Sequence, residues 1–414
     1  MKPTIIIGGG IVGLFSAYFL QKDGVEVTVI DQTDMQDNCS TGNAGMITPS
    51  HIIPLAAPGM ISKGIGWMFS SKSPFYIHPR LDYKLAQWCL LFFKAANETV
   101  VKRNMPHLNH LTLFSKSLYV KFQLEHPESA VSLSEKGLMM VYQTEAVEKE
   151  EIELAHLAGK YGLEAHVLTP SDVQQLEPNL EVKSRGAIFF PGDSHLDPGA
   201  LYAYLKKYLE EKGVKFLPST QVLGFEKSGT KVTAVLTDKG KLDADKIVLA
   251  AGAWTAQLAK DLGFSLPLMG GKGYSFVQEN KPAIQLPTIL TERKVAVSPY
   301  GTQVRFGGTL EIAGTNQNVN INRVRGIFES INQYYPAFEA KFPEESQIWK
   351  GLRPCSPDGL PYIGFAPGLE NVLVGAGHAM LGVTMAPATG KLLAELHQKE
   401  PTSMDVSGFE VGRF

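Results

Sequence analysis

Glycines at positions 8, 10 and 13, followed by an aspartate at 31, are the first residues whose types and spacing could do chemistry. Gly8-Gly9-Gly10-Ile11-Val12-Gly13 fits G-x-G-x-x-G, a weak signal on its own. Its surroundings strengthen it. Residues 4–7 read as a buried strand, 14–23 as a helix that Gly24 ends, and 25–30 as a second strand closed by Asp31. Such a βαβ unit suits a dinucleotide for definite reasons. Gly8 permits the tight turn, Gly10 lets the backbone approach a pyrophosphate, and Gly13 lets helix and strand pack closely. The helix N-terminus at Ile11 and Val12 offers free N–H donors and partial positive charge to the phosphates. Asp31, with Gln32 beside it, can accept hydrogen bonds from ribose hydroxyls. A glycine-rich turn without a ligand is the bland alternative.

Which dinucleotide follows from what comes next. A nicotinamide enzyme would normally continue with further βαβ units. This chain enters a polar loop, Asn38-Cys39-Ser40-Thr41-Gly42-Asn43-Ala44-Gly45, and leaves for an aromatic-rich region over about 55–149. Later, Ala250-Ala251-Gly252-Ala253-Trp254 ends a strand with small residues, where a backbone could approach a cofactor. Gly375-Ala376-Gly377-His378 then precedes Leu381-Gly382-Val383-Thr384 and a helix. A second helix N-terminus aimed at the ligand suits a reduced flavin, whose N1–C2=O edge gains negative charge. A cofactor touched by both ends of the chain must be long, as FAD is.

The elements that position these residues point to an α/β protein. At 414 residues the chain is too long for one compact core. The expected architecture is a Rossmann-like FAD-binding domain from 1–54, 150–258 and 346–414. A second, substrate-binding domain of mixed or antiparallel sheet plus helices takes 55–149 and 259–345. Strands are expected at 214–217, 221–226, 231–237 and 246–250. A helix capped by Asp197-Pro198 and another near 390–397 complete the pattern. The formal net charge of −2, without a basic run, excludes nucleic acid as a natural partner. Cys39, Cys89 and Cys355 lie far apart and offer neither a zinc site nor a disulfide framework. No signal peptide is visible, and no stretch reaches the roughly 18 apolar residues of a membrane span. A cytoplasmic protein is expected. Peripheral contact with the inner membrane is a minority reading, resting on Trp67-Met68-Phe69. The face carrying Leu85, Trp88, Phe92 and Ala96 reads as core.

Several segments together resemble one family. They are 40–49, Pro54-Leu55-Ala56-Ala57-Pro58-Gly59, Ser73-Pro74-Phe75-Tyr76-Ile77 with Pro79-Arg80-Leu81-Asp82, Gly273-Tyr274-Ser275, Gly351-Leu352-Arg353-Pro354 with Pro357-Asp358-Gly359, and 377–384. The chain resembles the D-amino-acid oxidase superfamily of FAD-dependent oxidoreductases over nearly its whole length. It is most similar there to the bacterial D-amino-acid dehydrogenase branch (small-subunit type).

The resemblance implies that Ser40, Thr41, Ala44, Gly45 and Met46 line the pyrophosphate and flavin. Val222 would meet adenine through its backbone. Ala250, Gly252 and Trp254 would sit beside the cofactor, and Gly377, His378, Leu381, Gly382 and Thr384 would face the flavin ring. Arg353 would hold a substrate carboxylate by two parallel hydrogen bonds, fixing the α-carbon over flavin N5. Tyr274 and His378 are further catalytic candidates, although a strand tyrosine and a lone histidine more often simply pack. Cys355 reads as wall or core, so the FAD is expected to be non-covalent. The implied reaction is oxidative deamination of a D-amino acid, with electrons passing to a quinone or respiratory chain. Open alternatives are oxidation of glycine, sarcosine, D-proline, D-hydroxyproline or a 2-hydroxy acid, a non-catalytic flavin-binding subunit, and a nicotinamide dehydrogenase.

Overall fold

The computed structural model describes residues 2–36, 38–59, 72–77, 80–129 and 131–414; Trp67-Met68-Phe69 and Pro79 lie outside them. Thr4–Ile7 and Val27–Ile30 are buried at every position. Strands without polar alternation must be covered on both faces. Among the described residues they join a six-stranded sheet in the order Tyr362–Phe365, Val372–Ala376, Lys246–Leu249, Thr4–Ile7, Val27–Ile30, Lys215–Leu217. Every pairing is parallel except the outermost, where Tyr362–Phe365 runs against its neighbour. Successive side chains of the first strand serve opposite faces. Ile6 meets a core shared by the helices Ile11–Lys22, Glu98–Glu125, Pro198–Glu211 and Gly382–Gln398. Ile5 and Ile7 meet the other core, roofed by the antiparallel strands Val222–Ser228, Lys231–Thr237 and Gly240–Asp243 and the helix Thr255–Leu262.

The second sheet has nine strands among the described residues. Its order is Trp349–Cys355, Met269–Glu279, Gln303–Ile312, Val295–Tyr300, Thr288–Leu290, Leu138–Tyr142, Gly186–Phe190, His166–Leu168, with Phe75–Ile77 alongside Gln303–Ile312. The helix Ile321–Tyr334 covers one face, setting Val324, Ile327 and Ile331 against Phe276 and Phe306.

The expected α/β class with a second mixed sheet is what the chain has. Sheet membership departs from the expected boundaries. His166–Leu168, Gly186–Phe190 and Trp349–Cys355 belong to the second sheet, although 150–258 and 346–414 read as nucleotide-domain segments. The helix Glu98–Glu125 lies on the nucleotide sheet, where Tyr119 and Phe122 pack edge-on against Phe15. Local pattern identifies a strand or an apolar helix face. Which partner it chooses is a matter of register and distant contacts.

Candidate active site

The glycine turn is a cradle that side chains would fill. Gly8 has φ +113°, and a Cβ there would lie 2.4 Å from the Ala250 carbonyl oxygen. A Cβ on Gly13 would lie 2.0 Å from the Gly8 oxygen. Gly10 caps the helix, and the Ile11 N–H donates to Ser40 Oγ at 2.9 Å. Asp31 is held at the end of its strand. Its carboxylate accepts from the Gly9 N–H at 2.7 Å and from the Thr33 N–H and hydroxyl at 2.8 and 2.7 Å. A carboxylate offers about four lone-pair sites, so capacity remains for a ligand.

From this turn a cavity of about 780 Å³ runs across the molecule. Gly10, Ile11, Val12, Asp31, Gln32 and Val222 line one end. Ser40, Ala44, Met46, Ala250, Gly252 and Trp254 line the cavity as well, together with His378, Leu381, Gly382 and Arg353. The bare glycine cradle and a lining drawn from both ends of the chain fit FAD, whose pyrophosphate Gly8–Val12 would hold. Besides Gly13, four expected residues shape the walls without lining them. Thr41 passes its carbonyl to Arg305 at 2.9 Å. Gly45, at φ +70°, packs against the Leu196 carbonyl, and Gly377, at φ +85°, turns against Tyr362. Thr384 donates its hydroxyl to the Met46 carbonyl at 2.9 Å, tying the last helix to the loop.

At the far end the second sheet supplies the wall. Antiparallel pairing sets Arg353 opposite Gly271. Its guanidinium lies where a Cβ on Gly273 would be, 2.1 Å from Nη1, and donates to the Thr309 carbonyl. Among the described residues no carboxylate pairs with it. Burial pulls it below its ordinary value, and its polar neighbours are the thiols of Cys355 and Cys39. Arg305, the second choice for a substrate carboxylate, is occupied by the carbonyls of Thr41 and Asn43 and lies over the Tyr300 ring. Cys355 is fully buried against Trp88 and Leu310, and burial pushes its thiol up to about 12.

Two catalytic candidates are held by hydrogen bonds within the protein. Because Gly273 meets Arg353, strand alternation sends Lys272 and Tyr274 to the opposite face. There the Tyr274 hydroxyl donates to Glu311 at 3.0 Å and accepts from the Asn320 N–H at 3.1 Å. Burial, then the Glu311 charge, raises it far above the ordinary phenol value. Tyr274 thus ties the sheet together and also lies on the cavity lining. His378 reaches the cavity wall but shares a hydrogen bond with Thr389 Oγ1 at 2.8 Å, and burial pushes its ring down to about 3. It stays neutral behind the cofactor site.

Three features escaped the sequence reading. The Trp349 ring fills the space over Gly42 and Gly351, locking the 38–45 loop to the second sheet. Lys272 and Glu311 form a buried ion pair at 3.7 Å. Thr309 adopts φ +62° beside Arg353. The adjacent glycines 307 and 308 inside a strand were the available signal, since such glycines often mark a bulge.

Comparison with known proteins agrees with this geometry. A family model described as FAD dependent oxidoreductase matches residues 4–396. The D-amino acid dehydrogenase of Helicobacter pylori is 30% identical over 401 residues, covering 96% of this chain and 95% of that protein. The D-amino acid dehydrogenase of Methylobacterium radiotolerans is 31% identical over 419 residues, covering 99% of each. Among solved structures, glycine oxidase from Geobacillus kaustophilus superposes with a TM-score of 0.80 at 24% identity, covering 99% of this chain and 98% of that one. L-proline dehydrogenase from P. horikoshii does so with a TM-score of 0.75 at 21% identity, covering 100% and 97%. The structural likenesses concern the fold. With the glycine cradle, the long cavity and a family match over nearly the whole chain, the protein belongs to the DAO family of FAD-dependent oxidoreductases.

Proposed function

We propose that this chain oxidises a D-amino acid to the 2-oxo acid and ammonia. One observation carries the reading: the Arg353 guanidinium stands on the cofactor cavity with a carbonyl, and among the described residues no carboxylate, as its partner. An enclosed cation without an anion is unfavourable unless a ligand brings one. An α-carboxylate fits the planar fork of donors. Bound FAD supplies the acceptor for the α-hydrogen, which leaves as hydride. The chain's part is to hold the carboxylate and so orient the α-carbon. The substrate amine must be neutral when the C–H bond breaks. The product imine then takes up water and releases ammonia. No side chain is assigned as general base, and His378 is engaged with Thr389.

The D hand and the dehydrogenase activity are supported by the names of relatives at 30–31% identity. Electrons would pass to a quinone or the respiratory chain. Among the described residues no helix is long and apolar enough to cross a membrane. The test is a screen of flavin-loaded protein against both enantiomers of the amino acids, with a dye acceptor and with oxygen in parallel. Turnover of D-amino acids, faster with dye, is expected. Activity confined to L-amino acids, glycine or proline, or none at all, would overturn the reading. Acid precipitation should leave the yellow chromophore in the supernatant; flavin held in the pellet would mean a covalent link.

A further inference from the structure

Thr309 combines features that ordinary strand residues lack. Its φ of +62° lies in the left-handed region, which a β-branched residue reaches only under strain. It sits in a β-bulge: Tyr274 pairs with Gly308 and Lys272 with Glu311, so Thr309 and Leu310 together oppose Gly273. The residue is 8% exposed, and its hydroxyl has no hydrogen-bond partner among the described residues. It lines the cofactor cavity, and its carbonyl receives the Arg353 guanidinium.

Backbone strain and an unpaired buried hydroxyl both oppose folding. Here both fall on the residue joined to the cation of the cavity. The opposite face of the sheet holds the bulge in place. Glu311 takes the Tyr274 hydroxyl at 3.0 Å and faces Lys272 Nζ at 3.7 Å, bridging the irregular register. An observed outlier of this kind, sustained by its surroundings, is a pointer to function.

We infer that Thr309 binds substrate: its hydroxyl, buried where it stands, turns about χ1 to donate to the carboxylate that Arg353 grips. The inference rests on the proposed carboxylate-bearing substrate and adds a second contact to it. A carboxylate has about four lone-pair sites. Arg353 commits one N–H to Thr309 and keeps others for two of those sites; the threonine hydroxyl takes a third. The same residue thus orients the guanidinium through its carbonyl and completes the cradle through its side chain.

The experiment titrates FAD-loaded wild type and variants with acetate and propionate, following flavin absorption, and records the thermal midpoint of each. Thr309→Val and Thr309→Gly should bind acetate roughly 10- to 100-fold more weakly, the range for a hydrogen bond to a charged group. Thr309→Ser, which keeps the hydroxyl, should stay within about threefold. Thr309→Gly also frees the backbone and removes the orphaned hydroxyl, so its midpoint should equal or exceed that of the wild type. Lost affinity without lost stability is a result that a purely structural threonine would not give. If Thr309→Val fails to load FAD, the glycine variant decides. Wild-type affinity in the glycine variant, or a serine variant as weak as valine, overturns the inference. Acetate binding needs no turnover, so failures separate. A wild type that binds acetate but oxidises no D-amino acid removes the reading of function and leaves Thr309. A wild type that binds no small carboxylate, or an Arg353→Ala variant that binds acetate normally, removes both.

Discussion

The two ends of the cavity are built by different rules. At the nucleotide end, residues 4–31 assemble almost everything from neighbours in sequence. The ligand there is met by backbone, and glycine matters for what it lacks: Gly8 and Gly13 have no room for a Cβ. At the end where substrate is proposed to bind, side chains line the cavity and come from distant segments. Arg353 and Thr309 are 44 positions apart, and Cys39 receives the Leu352 N–H from 313 positions away. Only the register of the second sheet brings them together. A site read by backbone can be written in spacing, whereas a site read by side chains must be written in pairing.

The sharpest way to break the comparison is to attack that register from behind. Lys272 is 2% exposed and Glu311 6%. Removing one partner of a buried pair costs about 3–5 kcal/mol, because the other charge is left without compensation. Glu311→Ala should lower unfolding stability by that amount in denaturant titrations and weaken substrate binding along with it. Unchanged stability would mean that the pair does not hold the wall. Next in size is Arg353→Ala. Losing a charge-assisted carboxylate contact costs about 2–5 kcal/mol, a fall in kcat/KM of roughly thirty-fold to several thousand-fold. FAD should remain bound, and Arg353→Lys should also be impaired, since a point charge cannot reproduce the fork. Near-normal turnover by the alanine variant would make Arg353 structural.

The nucleotide end should respond to a single methyl group. Gly13→Ala forces a Cβ to within 2.0 Å of the Gly8 oxygen, and overpacking of this kind costs about 1–3 kcal/mol. Retained FAD per chain should fall as the helix is pushed off the turn. Gly192→Ala is the control. Nothing lies within 4 Å of its Cβ, so it should stay within about 0.5 kcal/mol of wild type. Equal effects from the two variants would refute the cradle.

What was legible in the sequence follows the same division. The strand–turn–helix–strand unit and the last helix were readable because their signals are local. Arg353 was reachable through resemblance, since nothing in Gly351-Leu352-Arg353-Pro354 says which strand it will join. The hydrogen bond of Tyr274 to Glu311 was hidden, because alternation fixes a side chain's face only once its neighbour's face is known, and that knowledge came from Arg353 resting on Gly273. The bulge at Thr309 had a hint in Gly307-Gly308, but the buried carboxylate that sustains it pairs across strands. The sheet that Trp349–Cys355 joins was hidden for the same reason, since only register assigns it to the second sheet.

The smallest expected effect concerns His378, where the two ends meet. Its ring titrates at about 3 in the folded protein against an ordinary 6.5, because burial disfavours the imidazolium. The unfolded chain therefore takes up a proton that the native state refuses. The stability involved is fully present above pH 6.5 and is lost as pH falls toward 3. His51, His195 and His397, each pushed down to about 4 chiefly by burial, act in the same direction. Asp193 and Glu177, raised to about 7 by burial, act in the other, since the native state keeps protons that the unfolded carboxylates release. Glu151, also raised by burial, acts with these two carboxyls, so four groups stand against three and stability should fall on acidification from 6.5 toward 4.5. His378→Gln keeps an amide for Thr389 and removes one titrating group. Its stability at pH 8 should lie close to wild type, and its acid slope should be shallower, on the order of 1 kcal/mol per pH unit. Denaturant titrations at pH 8, 6 and 5 would show it. An unchanged slope would mean that His378 accepts a proton in the folded protein, returning it to the list of acid–base candidates at the flavin.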